Sequence, residues 1–257
     1  MSQDRSASPA APPAPTGPSG LPQKPPPYHP YTTYVLIGIC VVMYLLQVSL
    51  GYFFNIDLTG ALDKNNALIV QGQVWRLFTP IFLHGSILHI VFNMYALFYF
   101  GRMIERYYGR ARYLGLFILS GFAGNVISFM FSSYQSLGSS TSIMGLLGAV
   151  GVLIYQNREI FGPVARQALS QVVIIGIINL ILGLTPGSNI DNWGHIGGLF
   201  GGILFAWFGG PVFQKVGLVA TYAYVNRRGE RETIVAGLGV GALFVFLTLV
   251  AVFMRAG

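Results

Sequence analysis

The chain has 257 residues, 53% hydrophobic and only 9% charged, and its mean hydropathy of +0.61 exceeds what a soluble core of this size can bury. It reads as an integral membrane protein, and the formal net charge of +7 calls for no nucleic-acid partner, because anionic headgroups on one side of a bilayer suffice. The lone Cys40 excludes an intrachain disulfide and no Cys/His grouping has metal-ligand spacing, so neither a metal nor a cofactor is expected.

Residues 1–32 are rich in Pro, Ala and Ser and lack an apolar h-region, which predicts a disordered cytoplasmic tail and not a signal peptide. Beyond it, runs free of Asp, Glu, Lys and Arg fall at 25–56, 77–101, 113–157, 167–190, 192–214 and 233–254. A bilayer core about 30 Å thick takes roughly 20 helical residues. Five runs hold one span each, and the 45 residues of 113–157 hold two, broken at FSSYQSLGSS. The expected fold is therefore all-α and polytopic, with helices near 34–53, 83–101, 113–132, 140–156, 169–185, 193–210 and 234–254. Six of them form a core over 33–211. A basic cytoplasmic loop follows over 212–233, and a seventh helix with a short tail occupies 234–257.

Lys and Arg set the orientation. The tail and the loops after spans two, four and six carry twelve of the fifteen, while Lys64, Arg76 and Arg255 fall on the other side. This predicts a cytoplasmic N-terminus and an outer C-terminus. Spans two, four and six then run inward from the outside, and their first turns hold the conspicuous polar residues: His89 and Asn93, Ser140, and His195. From Arg158 at the inner interface, Ser140 lies 18 residues up the helix, about 27 Å at 1.5 Å per residue. Water has to reach that depth through a polar cavity open to the outside.

Close contact of spans four and six is also expected. Span six reads GHIGGLFGG, with Gly194, Gly198 and Gly202 at four-residue spacing, and span four offers Thr141, Gly145 and Ala149 on one stripe. Small residues at that spacing let helix backbones approach in lipid. The contact would bring Ser140 and His195 side by side.

Taken singly, these residues have ordinary explanations. Ser139, Ser140 or Thr141 is a good helix N-cap, Asn93 can bond a neighbouring helix, and His84 suits a membrane interface. Together they suggest chemistry, since intramembrane His and Asn are costly and mark functional interiors. An imidazole can take the proton of a serine nucleophile and return it to a leaving amine, which Ser140 and His195 could do as a dyad. His89 and Asn93, at i and i+4 on one helix face, could donate to an oxyanion, aided by the first backbone N–H groups of span four. Asp191, four residues before His195, is a weaker third member. A small-solute transporter could use the same groups, although no internal repeat is evident.

Across 70–210 the motifs resemble, in order, those of the rhomboid intramembrane serine proteases. WR at Trp75–Arg76 resembles the pair in that family's first external loop, and HGSILHIVFN at 84–93 its second-helix His and Asn. GRMIERYYG carries the Gly101/Glu105/Gly109 pattern, GSST stands at the nucleophile motif, and GHIGGLFGG at the base motif. The resemblance implies Ser140 as nucleophile and His195 as general base and acid, with His89 and Asn93 lining the oxyanion site. Trp75 and Arg76 would brace the first external loop, and Glu105 would be a structural polar contact. Three positions depart from the pattern: Thr141 for glycine, Met144 for an aromatic and Gly194 for alanine. None removes a reacting group. Transmembrane proteins are the implied substrates, cut near the outer side of the plasma (inner) membrane. A non-catalytic scaffold that binds membrane helices would use the same packing, and the sequence leaves the oligomeric state open.

Overall fold

The computed structural model describes residues 28–218 and 221–256. Seven long helices organise them: α1 (Tyr31–Phe54), α2 (Ile87–Tyr108), α3 (Arg110–Phe131), α4 (Ser140–Gln156), α5 (Val164–Gly183), α6 (Asn192–Gly209) and α7 (Glu230–Ala256). Of these, α1, α2, α3, α5 and α7 are long and apolar enough to cross a membrane. The chain is an integral membrane protein with a mostly helical, polytopic fold. The N-terminal tail lies outside the described residues up to 27, and α1 takes up the last two residues assigned to that tail.

Helix ends follow local chemistry. Asn55 ends α1 in the left-handed region at φ 53°, with its N–H on Leu50 O. Ser86 caps α2 by accepting the N–H of His89, so this helix begins at Ile87 and leaves His84 in the loop before it. Gly109, at φ 76°, breaks the chain between α2 and α3, a conformation that costs any other residue a Cβ clash. Residues Leu97–Gly101 within α2 form a π turn. There Gly101 lies against Tyr113 and Thr33, where a Cβ would not fit.

The centre is built from α3, α4 and α6, with α7 against α3 and α6, α5 against α4, and α2 beside α1 and α4. Backbone contact, more than side-chain interdigitation, joins the central three. A Cβ at Gly124 of α3 would lie 2.6 Å from Gly194 O and 2.7 Å from Thr141 Cβ, and one at Gly197 would lie 2.8 Å from Ala123 O. At Gly198 it would lie 2.8 Å from the carbonyl carbon of Thr141 and nearer still to its oxygen; at Gly202 it would strike the backbone of Gly145. Gly145 in turn faces Ser120 of α3 and Gly198 O of α6. The small-residue stripe thus serves three helices, and α3, with its own Gly121 and Gly124, is a full member of the contact.

Between α1 and α2 a long loop carries two short helices, Leu58–Leu62 and Asn66–Val70, and two tight turns at Val74–Leu77 and Thr79–Phe82. The stretch read as a basic loop is not irregular throughout. It contains an antiparallel hairpin, β1 (Phe213–Leu218) and β2 (Thr221–Asn226), in register Phe213 to Asn226. Its β-branched and aromatic residues, Val216, Tyr224 and Val225 among them, suit strands better than the charge count alone suggests. Asn157 anchors it at the end of α4, accepting the N–H of Phe213 and donating to Pro211 O.

Candidate active site

The N-terminal ends of α2, α4 and α6 meet at one cavity of about 700 Å³ whose lining includes His89, Asn93, Gly138, Ser140, Met144, Asp191 and His195. Residues of α2 (Phe92, Tyr95) and α5 (Ile175, Asn179, Leu182) complete its wall. The four polar residues singled out from sequence, from three non-adjacent helices, therefore face one space.

Ser140 is the first residue of α4 and half-buried at the cavity. The free N–H groups of a helix's first turn, with the positive end of its dipole, lie there as well. Capping is not the work of the hydroxyl cluster, as the sequence had suggested. The residue before the helix, Ser139, sits at φ −73°, ψ −1° and makes no side-chain cap bond. Its Oγ instead bonds Asn93 Oδ1 at 3.3 Å and meets His84 Nε2 at 3.3 Å.

His89 accepts the N–H of Gly85 at Nδ1, which in a neutral ring leaves the proton on Nε2. That Nε2 points at the bend before Ser140: a Cβ on Gly138 would lie 2.7 Å from it and 3.7 Å from Ser140 Oγ. Gly138 is at φ 126°, so both the backbone and the imidazole require glycine there. Asn93 spends one amide hydrogen on His89 O at 2.8 Å and keeps the other.

His195 lies in the first turn of α6, 5% exposed, with its N–H on Asp191 O. Its Nδ1 is buried and makes no hydrogen bond among the described residues. Asp191 is the N-cap of α6. Its Oδ1 accepts the N–H of Gly194 at 2.9 Å, and its Oδ2 accepts the hydroxyl of Ser128. The carboxylate is thus committed to starting the helix and not to orienting the imidazole. Met144, buried, lines the same cavity as His195.

The loop between α1 and α2 is held by Arg76, 3% exposed, whose guanidinium reaches Gln73 Oε1, Gly60 O, Asp63 O and Asp63 Oδ1, all within 2.9 Å. Trp75, beside it, is 48% exposed. Glu105 is fully buried and accepts from the N–H groups of Thr32 and Thr33 and from Thr33 Oγ1, docking the start of α1.

Sequence reasoning missed His84. It is 1% exposed and is fixed by a reciprocal pair of bonds between its backbone and the Gln47 side chain. Its ring meets that of His89 edge-on at 5.2 Å. Burial first, then the neighbouring His89, push its pKa down to about 4. The signal was its place five residues before His89, which puts it just ahead of the helix start. Lys64 and Ser128 were also missed; nothing local in the sequence connects them.

Residues 71–212 match the family model described as "Rhomboid domain". Among curated proteins, the chain is 42% identical over 213 residues to "Rhomboid protease GluP" of Bacillus subtilis (strain 168), covering 82% of the chain and 40% of that protein. It is 34% identical over 177 residues to "RHOMBOID-like protein 1" of Arabidopsis thaliana, covering 68% and 43%. It is 33% identical over 144 residues to "Putative rhomboid protease YdcA" of Bacillus subtilis (strain 168), covering 55% and 70%. The chain spans less than half the length of the first two of these relatives. A match over more than half of the chain, in the order of its own motifs, leaves one conclusion: this chain belongs to the rhomboid family.

Proposed function

We propose that the chain is an intramembrane serine endopeptidase that cuts transmembrane helices of other membrane proteins near the outer side of the bilayer with a Ser140–His195 dyad. The observation that carries the reading is the convergence of Ser140, His195, His89 and Asn93 on one cavity, across helices α4 and α6 whose backbones touch. Kinship with a protein named a rhomboid protease supports it.

In this reading Ser140 Oγ attacks a peptide carbonyl carbon while the imidazole of His195 takes its proton. The tetrahedral oxyanion receives hydrogen bonds from His89 Nε2–H, the free amide hydrogen of Asn93 and the first N–H groups of α4, each such donor being worth about 10²–10³ in rate. Collapse breaks the C–N bond, and the imidazolium protonates the departing amine. A cavity water then attacks the ester, giving its proton to His195, and Ser140 leaves with that proton restored. Because Asp191 is occupied as a helix cap, His195 acts without a carboxylate partner.

A helix hides its peptide bonds, so the substrate has to unwind locally, which favours helix-breaking residues and a small side chain before the cut. In this reading such a segment enters laterally between α2 and α5, which both line the cavity. The Lys/Arg asymmetry supports a cytoplasmic N-terminus in the plasma (inner) membrane. The test is incubation of the purified protein with a transmembrane reporter, alongside Ser140→Ala and His195→Ala. Wild type cleaves and both variants do not, and a fluorophosphonate labels Ser140. Cleavage by Ser140→Ala at the wild-type rate, or labelling of Ser139 or Ser142 instead, refutes the assignment.

A further inference from the structure

Lys64 is, with Arg76, one of two buried cations in the loop between α1 and α2. It is fully inaccessible, yet no carboxylate of the described residues lies within ion-pair distance of it. Burial pushes its pKa down to about 8, with Asp191 opposing the shift, so it still carries its charge at neutral pH. A charge in such a place needs a partner, and the partner is reached through a hydroxyl. Lys64 Nζ donates to Ser128 Oγ on α3 at 2.7 Å, and Ser128 Oγ donates to Asp191 Oδ2. The hydroxyl's one hydrogen and one lone pair are thereby used in a single direction, from ammonium to carboxylate. Asp191 then holds the N–H of Gly194, the residue before His195.

The main chain of Lys64 acts at the other half of the site. Its N–H bonds Ser136 O at 3.0 Å and its carbonyl accepts the Ser136 N–H at 3.4 Å, an isolated antiparallel bridge. Ser136 is four residues ahead of Ser140, as Asp191 is four ahead of His195. Gly138 N–H, bonded to Pro80 O at 2.9 Å, adds a second tie between the same loop and this approach. One loop residue therefore reaches the segments that deliver both reacting groups.

We propose that Lys64 is a positioning residue for the Ser140–His195 pair: its backbone holds the segment leading to Ser140, and its ammonium, through Ser128, holds the carboxylate that starts the His195 helix. This rests on the endopeptidase reading. It adds a route by which the external loop, otherwise remote from the chemistry, controls the distance between nucleophile and base.

The test uses the full chain in detergent micelles with Lys64→Met, Asp191→Asn and the double variant. Lys64→Met keeps the stem and the backbone bridge but leaves the half-buried Asp191 carboxylate without its cation; Asp191→Asn keeps a cap acceptor and removes the charge. Lys64→Met lowers kcat on the transmembrane reporter by about tenfold or more while KM stays within about twofold, and fluorophosphonate labelling of Ser140 slows in parallel. The double variant, with no charge left unpaired, recovers both kcat and the thermal midpoint relative to Lys64→Met. Should Lys64→Met fail to fold, Ser128→Ala cuts the relay with both charges and the bridge intact, and carries the same expected loss in kcat. Thermal effects of the two single variants that simply add, or wild-type kcat in Lys64→Met, overturn the proposal. Equal cleavage by wild type and Ser140→Ala overturns the endopeptidase reading and the positioning role with it. That outcome is distinct from failure of the relay alone, in which Ser140→Ala is inactive and Lys64→Met turns over normally.

Discussion

Adding one methyl group at Gly198 tests whether backbone contact between α4 and α6 sets the site. A Cβ there lies 2.8 Å from the carbonyl carbon of Thr141, and the atoms it meets are backbone, which has no rotamer to yield. Restoring ordinary contact to that carbon, at about 3.4 Å or more, opens the helices by about 0.6 Å, and the nearer carbonyl oxygen demands more. The opening falls next to Ser140 and one turn below His195, so it enters the distance between these two residues almost undiminished. A misplacement of about 1 Å costs on the order of 10²-fold in rate, while overpacking of this kind costs about 1–3 kcal/mol in stability. Gly198→Ala therefore loses about 100-fold in kcat on a transmembrane reporter while still unfolding cooperatively, at a lower temperature. Gly115→Ala and Gly176→Ala, whose added Cβ atoms meet only a side-chain carbon at 3.9 and 3.7 Å, serve as controls and cleave like wild type. Cleavage by Gly198→Ala within about threefold of wild type would refute the claim that this contact fixes the dyad.

Two further outcomes follow from buried polar groups. Glu105→Gln replaces a carboxylate oxygen that accepts from Thr32 or Thr33 with an NH₂ that cannot, so α1 loses its anchor at that end. A loss of about 2 kcal/mol, read as a lower thermal midpoint with KM nearly unchanged, is expected; an unchanged midpoint would show that lipid alone holds α1 in place. His84, kept neutral by burial with a pKa lowered from its ordinary 6.5 to about 4, contributes stability that is fully present above pH 6.5 and lost as the pH falls towards 4. The thermal midpoint of wild type drops across that window, and His84→Gln flattens part of the slope, by at most about 1.4 kcal/mol per pH unit. Parallel slopes for the two proteins would remove His84 from the account.

Much of the helical layout is legible in the sequence because lipid leaves the backbone few choices. A charge-free run of sufficient length has to satisfy its own peptide groups, and FSSYQSLGSS interrupts one where polar residues can reach water. The convergence of His89, Asn93, Ser140 and His195 on one cavity was also legible, through alternation of span direction. What sequence could not give was the partner of each polar group. The Ser139 hydroxyl had an obvious use as a cap, yet it turns to Asn93 and His84, because the chain enters α4 with nearly helical angles that aim the side chain sideways. Nor does periodicity expose the relay of Lys64, Ser128 and Asp191, whose members lie more than sixty residues apart and meet only once the loop after α1 has packed on α3 and α6. The hairpin at 213–226 was hidden for a related reason: its anchors, Asn157 and Arg228, bond backbone atoms that carry no sequence signature.

The two helices that bear Ser140 and His195 are the ones that composition and length least commit to the membrane. α4 has 17 residues, and α6 carries six glycines together with Asn192 and His195. Neither could be held in lipid by its own hydrophobic surface as firmly as α1 or α5, whose windows are only 11% buried within the protein. Their placement has to come from neighbours: from α3, which abuts both through Gly124 and Ala123, and from the loop between α1 and α2, through the bridge of Lys64 to Ser136. With their placement set by neighbours, α4 and α6 can carry polar first turns at the cavity. This division also orders the sensitivity of the fold. An added methyl in the central three helices acts on backbone that cannot move aside, whereas apolar exchanges on the lipid faces of α1 and α5 replace one hydrocarbon contact with another and leave the distance from Ser140 to His195 unchanged.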